Sequence, residues 1–250
     1  ASRLGISLAT LYAYVSRKNL RSLKVEGSRS RRYWAADIER LGKSKDDAGG
    51  MPELQRIAAS SAITLLTDKG LYYRGRDVVE LAQHSSVEAV AEWIWQTPGV
   101  FDSTPLPKRP KGIGALLKSL DGMTTAQKAI ALFPLIEHEN PRAHDLSPEG
   151  YAHTGVDVVR WLAALAVGAN GPDARPLHQF IADSLGVDAA HADLIRRALI
   201  LCIDHELDPT TYTVRVAANV GVTPYYAAIV GLAASRGRRL STGRSETVTR

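Results

Sequence analysis

From about residue 54 onward, apolar positions recur at spacings of three and four and strict alternation is scarce, so the pattern predicts a mainly α-helical body. Helices are expected at about 77–83, 86–96, 112–120, 124–136, 154–168, 174–185, 188–204, 209–219 and 224–235. Two late starts are sharply marked: Asp208-Pro209 and Thr223-Pro224 each place a capping side chain before a proline whose missing N–H costs nothing in a first turn. Ahead of them, "SAITLLTDKGLYYRGRD" (61–77) reads as a short extended piece, a turn at Asp68-Lys69-Gly70 and a tyrosine-rich connector. "STPLPKRPKG" (103–112) reads as an exposed loop.

The first 43 residues follow another pattern. "RLGISLATLYAYVSRKNL" (3–20) predicts the end of one helix, a turn at Gly5-Ile6-Ser7 and a second helix that buries Leu8, Leu11 and Val15. Thr10, Tyr14, Arg17 and Lys18 then face outward. A β-prone piece follows, then a Gly/Ser tip carrying Arg29, Arg31 and Arg32, then Tyr33-Trp34 and an amphipathic helix with Ile38 and Leu41. Helix and hairpin together suit DNA: the helix offers side chains to base edges, and the hairpin arginines neutralise phosphates. The other reading is a solvated basic helical hairpin. Residues 44–53 are charged and then Gly-rich, a linker, which leaves 54–235 as the body and 236–250 as a basic, aperiodic tail expected to be disordered.

Charge sharpens that division. Residues 1–45 hold 11 Lys/Arg against Glu26, Asp37 and Glu39, while the rest holds 20 basic and 23 acidic residues. Such asymmetry suggests a nucleic-acid-binding head on a body with a different job. Cys202 is the single cysteine, so no intrachain disulfide can form, and a cysteine-rich zinc module is excluded. With no bilayer-length apolar run and no signal-peptide pattern, the expected location is the cytoplasm, with no membrane partner. No GxGxxG turn, Walker-type lysine loop or metal-ligand spacing occurs, so no metal site and no bound cofactor is expected. His84, His138, His144 and His153 are expected in polar loops or at helix ends, His178 and His191 in first turns, and all six as solvated residues.

His205 has a different setting. "DLIRRALILCIDHE" (193–206) carries Leu194, Ile195, Ala198, Leu199, Cys202 and Ile203 on a broad face expected to be buried, and His205 emerges at its end, just before the next helix. An imidazole beside the N–H groups of a helix start can hold a carboxylate. Asp204, Glu206 and Asp208 add negative charge to the same spot, and His205 could instead cap the helix before it. Local chemistry leaves both readings open.

Two resemblances bear on this. "GISLATLYAYVSRKNLRS" and "SRRYWAADIERL" resemble the winged helix-turn-helix of the MerR and excisionase families, with most of its first helix missing. "GLYYRGRDVVELA" (70–82), "GVDVVRWLAALAVGA" (155–169) and "IDHELDPTTYTVRVAANVGVTPYYAAIVGLAAS" (203–235) resemble, in order, three segments of the citrate synthase family. The second resemblance implies a helical fold with a large and a small domain, a homodimer, and condensation of acetyl-CoA with oxaloacetate. By that likeness His205 is an oxaloacetate ligand, and acetyl-CoA is a substrate rather than a cofactor.

The departures from the family pattern are as informative as the matches. The family's enol-stabilising histidine follows its small-residue helix in a Gly-Pro-x-His-Gly-Gly segment, whereas this chain reads "SRGRRLSTGRSETVTR" there, with Leu240 near the expected place. The remaining catalytic groups would fall past residue 250, so the chain reads as truncated at both ends, with a tail in the wrong frame. No catalytic residue is assigned, and the 250 residues alone are expected to give no synthase turnover. Asp208 also replaces an asparagine of the family pattern. The competing reading is a DNA-binding regulator whose body senses a small carboxylate.

Overall fold

The computed structural model describes residues 22–24, 31–33, 61–67, 70–204 and 208–237. By contact density the chain divides into two units, Ala1–Ile57 and Ala58–Arg250. In the first unit the described residues form one antiparallel hairpin, β1 (Ser22–Lys24) with β2 (Arg31–Tyr33), in the register Ser22↔Tyr33 and Lys24↔Arg31. Arg31 and Arg32 therefore lie in a paired strand and not at the tip where the sequence placed them, because the ladder continues up to Lys24↔Arg31. Thr10, Tyr14, Arg17, Lys18 and Arg29, and both helices of the expected helix-turn-helix, lie outside the described residues.

The second unit opens with an antiparallel meander of β3 (Thr64–Thr67), β4 (Gly70–Tyr73) and β5 (Arg76–Asp77). The tyrosine-rich connector is thus a strand. Its turn to β5 is Arg74-Gly75, with φ of 45° and 81°, the pair of positive values that a two-residue turn matched to strand twist requires. Arg74 is held in that conformation from two sides: its amide donates to the Ile63 carbonyl at 2.6 Å, and its Nε donates to the Ile94 carbonyl at 2.7 Å.

Ten α-helices follow among the described residues. They are α1 (Val78–His84), α2 (Val87–Trp95), α3 (Val100–Ser103), α4 (Ile113–Ser119) and α5 (Thr125–His138), then α6 (Pro148–Ala166), α7 (Leu177–Leu185), α8 (Ala189–Leu201), α9 (Pro209–Asn219) and α10 (Pro224–Ala234). All nine helices expected from periodicity form; only the four-residue α3 was not anticipated. The capping chemistry works as read, with Ser86, Asp208 and Thr223 each accepting from first-turn amides. Helix α6 starts six residues earlier than its apolar period suggests, because Ser147 caps it and Pro148 fills the first position.

Helix α6 is the axis of the unit. Its faces enter two apolar clusters, one with Tyr73, Val90, Phe101, Phe180 and Ile200, the other with Phe133, Ile136, Tyr225 and its own Trp161 and Leu165. Its polar residues tie down the neighbouring loop. Arg160 donates to the carbonyls of Thr104 and Phe101 at 2.8 and 2.9 Å, and Arg142, in the 3-10 turn before α6, donates to that of Pro105 at 2.9 Å. The 103–112 loop is accordingly not wholly exposed: Thr104, Pro107 and Pro110 are buried. Among the described residues no helix is long and apolar enough to cross a membrane.

Candidate functional site

The oxaloacetate-site residue singled out by the sequence falls between α8 and α9. His205 itself, with Glu206 and Leu207, lies outside the described residues. What the structure describes is the frame on either side, Cys202 to Asp204 and Asp208 onward.

On the near side the frame is built by the meander. Tyr73 is fully buried, and its hydroxyl reaches the carbonyls of Ile200, Leu201 and Asp204 at 3.2–3.4 Å while accepting from the Asp204 amide at 3.3 Å. One phenol thus gathers backbone groups that the end of α8 leaves without helical partners. Helix α8 accordingly stops at Leu201, with Cys202 as its cap, three residues before periodicity alone would end it. Burial pushes the Tyr73 phenol above its usual pKa, so it stays protonated and can keep donating.

Asp204 is held from two further elements. Its Oδ2 accepts from the Thr64 hydroxyl at 2.6 Å on β3 and from Arg215 Nη2 at 3.2 Å on α9. Both side chains of the ion pair are mostly buried, 19% and 12% exposed, which makes it less screened than a surface pair. Arg215 Nη1 is buried with no hydrogen-bond partner, an orphan that typically costs about 1–3 kcal/mol.

On the far side Asp208 caps α9, accepting from the amides of Thr210 and Thr211 at 2.9 and 3.4 Å. This corrects one sequence expectation. The start of α9 does not offer free N–H groups to an anion, because Pro209 has none and Asp208 takes the next two. Two of the three acids at this spot have partners: the Asp204 charge is matched by Arg215, and that of Asp208 by the helix N-terminus.

The face of α8 expected to be buried is only partly so. Ile200 is fully buried and Ala192 nearly so, but Leu194 is 61% exposed and Ala198 and Cys202 are exposed, since α8 packs against α1 and α7 and leaves its other side open. Of the other histidines, His153 departs most from expectation. It sits inside α6 with Nδ1 2.6 Å from Thr104 Oγ1, because α6 begins early enough to include it. His178 is also not simply solvated, as its Nδ1 is buried without a partner.

The second polar cluster lies beneath α6. Asp157, fully buried, accepts at Oδ2 from Asn140 Nδ2 at 2.8 Å and from Arg142 Nε at 3.0 Å, and Asn140 also donates to the Tyr225 hydroxyl at 3.3 Å. Burial raises the Asp157 pKa against the pull of Asn140 and Arg142, and raises that of Tyr225 as well. This cluster fastens α6 and α10 to the residues that follow α5. Among the described residues no group of His, Cys, Asp and Glu is placed to hold a metal ion.

A family model described as "Citrate synthase, C-terminal domain" matches residues 53–250. The chain belongs to the citrate synthase family. Two solved citrate synthases share its fold. That of Thermotoga maritima MSB8 is 20% identical with a TM-score of 0.55, over 76% of this chain and 56% of its own. That of Pyrobaculum aerophilum is 16% identical with a TM-score of 0.58, over 88% of this chain and 58% of its own. The chain therefore spans a little over half the length of these citrate synthases. No curated protein matches it. All three segments on which the resemblance rested fall inside the family match, and the first and third meet in space: Tyr73 from the first binds Asp204, which Arg215 also binds within the third.

Proposed function

We propose that this protein serves citrate synthase-type condensation of acetyl-CoA with oxaloacetate, and that His205 is an oxaloacetate ligand. The observation that carries this reading is the family match across residues 53–250, which includes Asp204-His205-Glu206. The frame agrees with it chemically. Acids beside a histidine would repel a dicarboxylate if their charges were free; Asp204 is paired with Arg215, and Asp208 is committed to α9. An imidazole can donate to a substrate carboxylate or ketone oxygen and add positive charge when protonated. Acetyl-CoA is the second substrate, a second copy of the chain is the expected partner, and the chemistry needs no bound cofactor.

The 250 residues span 56% and 58% of the two solved relatives, so turnover is proposed for a chain extended to the family's full length. Release of CoA thiol from acetyl-CoA plus oxaloacetate by such a chain tests the reading. The basic N-terminal segment, with its antiparallel hairpin, favours a second reading: a regulator that binds DNA through Thr10, Tyr14, Arg17, Lys18, Arg29, Arg31 and Arg32 while the body senses a carboxylate. No turnover by the extended chain, together with oxaloacetate-dependent DNA binding, selects the regulator.

A further inference from the structure

We infer that the cleft where α4, α5 and the end of α6 meet binds a phosphoryl dianion. The inference does not depend on the oxaloacetate reading, since none of the lining residues belongs to α8 or α9. The cleft has a volume of about 210 Å³, below the ~300–1,000 Å³ of pockets that enclose drug-sized ligands. Two lysines line it from different helices, Lys118 from the last turn of α4 and Lys128 from the start of α5. Neither has a hydrogen-bond or ion-pair partner among the described residues, although Asp121 lines the same cleft. Asp121 instead accepts from the Gly122 amide at 3.2 Å. A third cation stands close by: the Arg109 stem crosses Gly171, the residue after Asn170 of the cleft wall.

Helix chemistry does not account for both lysines. The carbonyls of Ala163, Ala164 and Leu165 at the end of α6 are taken by the amides of Val167, Ala169 and Gly168, so neither lysine is needed there as a cap. Lys118 complements the C-terminal end of α4, but Lys128 is the fourth residue of α5, an end where the helix dipole favours negative charge. An anion in the cleft gains from both, and lysine recognises phosphate as a point charge rather than through the fixed fork that suits a carboxylate. The other lining groups favour a small phosphate ester over the free ion. Asp121 can accept from a ligand hydroxyl but repels a second anionic group, and the Asn170 amide can donate or accept. The cleft is open at Gly114 as well: a Cβ there would meet no atom within 4 Å, although glycine weakens a helix. One phosphoryl dianion facing two ammonium groups, with hydroxyls toward Asp121 and Asn170, satisfies this set.

Calorimetric titration of glycerol 1-phosphate into the 250-residue chain tests the site, with inorganic phosphate and succinate as comparison anions and the melting temperature of every variant recorded. Saturable binding of the ester is expected, with succinate, a dicarboxylate, about tenfold weaker or more. Lys118→Gln and Lys128→Gln keep most of each stem and should each weaken binding about fivefold or more. Gly114→Leu leaves every charge in place but fills the open space, so binding should be lost while the melting temperature holds or rises. Inorganic phosphate binding as tightly as the ester would support the phosphoryl site and identify the free ion as its ligand. No saturable binding of either phosphate, succinate binding as tightly as the ester, or wild-type affinity in Gly114→Leu or in both lysine variants would overturn the site.

Discussion

Helices α6 and α9 carry similar polar equipment and use it in opposite ways. Eleven residues of α6 are buried, among them Asp157 and Arg160, and their partners are loop carbonyls and neighbouring helices. Helix α9 has no buried residue at all, yet its Arg215 binds Asp204 and its cap Asp208 binds its own first amides, on either side of residues 205–207. The difference shows where charge can serve a ligand. Asp157, at the centre of a packed unit, joins elements through Oδ2, whereas Asp204, just past the end of α8, is paired with a cation from the next helix.

The contrast can be broken most severely in α6. Trp161→Ala empties a site with no exposure and is expected to cost roughly 3–5 kcal/mol in urea unfolding. Because the indole Nε1 is buried without a partner, Trp161→Phe should cost much less, under about 1.5 kcal/mol. Equal losses in the two variants would show that the indole N–H matters more than the volume.

Next comes the contact between α9 and α10. A Cβ on Gly231 would stand 2.7 Å from Val214 Cγ2, and a β-branched neighbour cannot swing far aside. Gly231→Ala is expected to destabilise by roughly 1–3 kcal/mol, and Val214→Ala in the same chain should restore part of it, read from the same unfolding curves. A smaller effect belongs to the cap: Asp208→Ala leaves the Thr210 and Thr211 amides without their acceptor and should cost about 1 kcal/mol.

The smallest effect is a pH dependence at Asp157. Burial raises the Asp157 pKa in the folded state above its unfolded value, so its contribution to stability is complete below about pH 4 and is lost as pH rises through the folded pKa. Asp157→Asn should therefore gain stability relative to wild type on going from pH 4 to pH 7, with Arg142, partly exposed, free to keep its bond to Pro105 and turn toward water. A relative loss over that range would mean that Arg142 and Asn140 outweigh burial.

Much of this was legible in the sequence wherever the signal was local. The starts of α2, α9 and α10 follow from Ser86, Asp208-Pro209 and Thr223-Pro224, because a capping residue and a proline act within one turn. The family was legible from three short segments. What could not be read was convergence. Thr64, Tyr73 and Arg215 lie 140, 131 and 11 residues from Asp204, and no periodicity joins them. Burial of α8 was over-read for a related reason: its apolar residues are local facts, but which of them meet α1 and α7 is decided by packing, and Leu194 is left in solvent. The partner strand of Arg31 and Arg32 likewise depends on register rather than on composition.

The most direct measurement is calorimetric titration of oxaloacetate into the wild-type 250-residue chain and into His205→Asn, with the melting temperature of each recorded. Saturable binding by the wild type, weakened about tenfold or more in the variant at unchanged melting temperature, is the expected result for the loss of a hydrogen bond to a charged ligand. Equal affinity in the two chains, or no binding by either, would contradict the assignment of His205 as an oxaloacetate ligand.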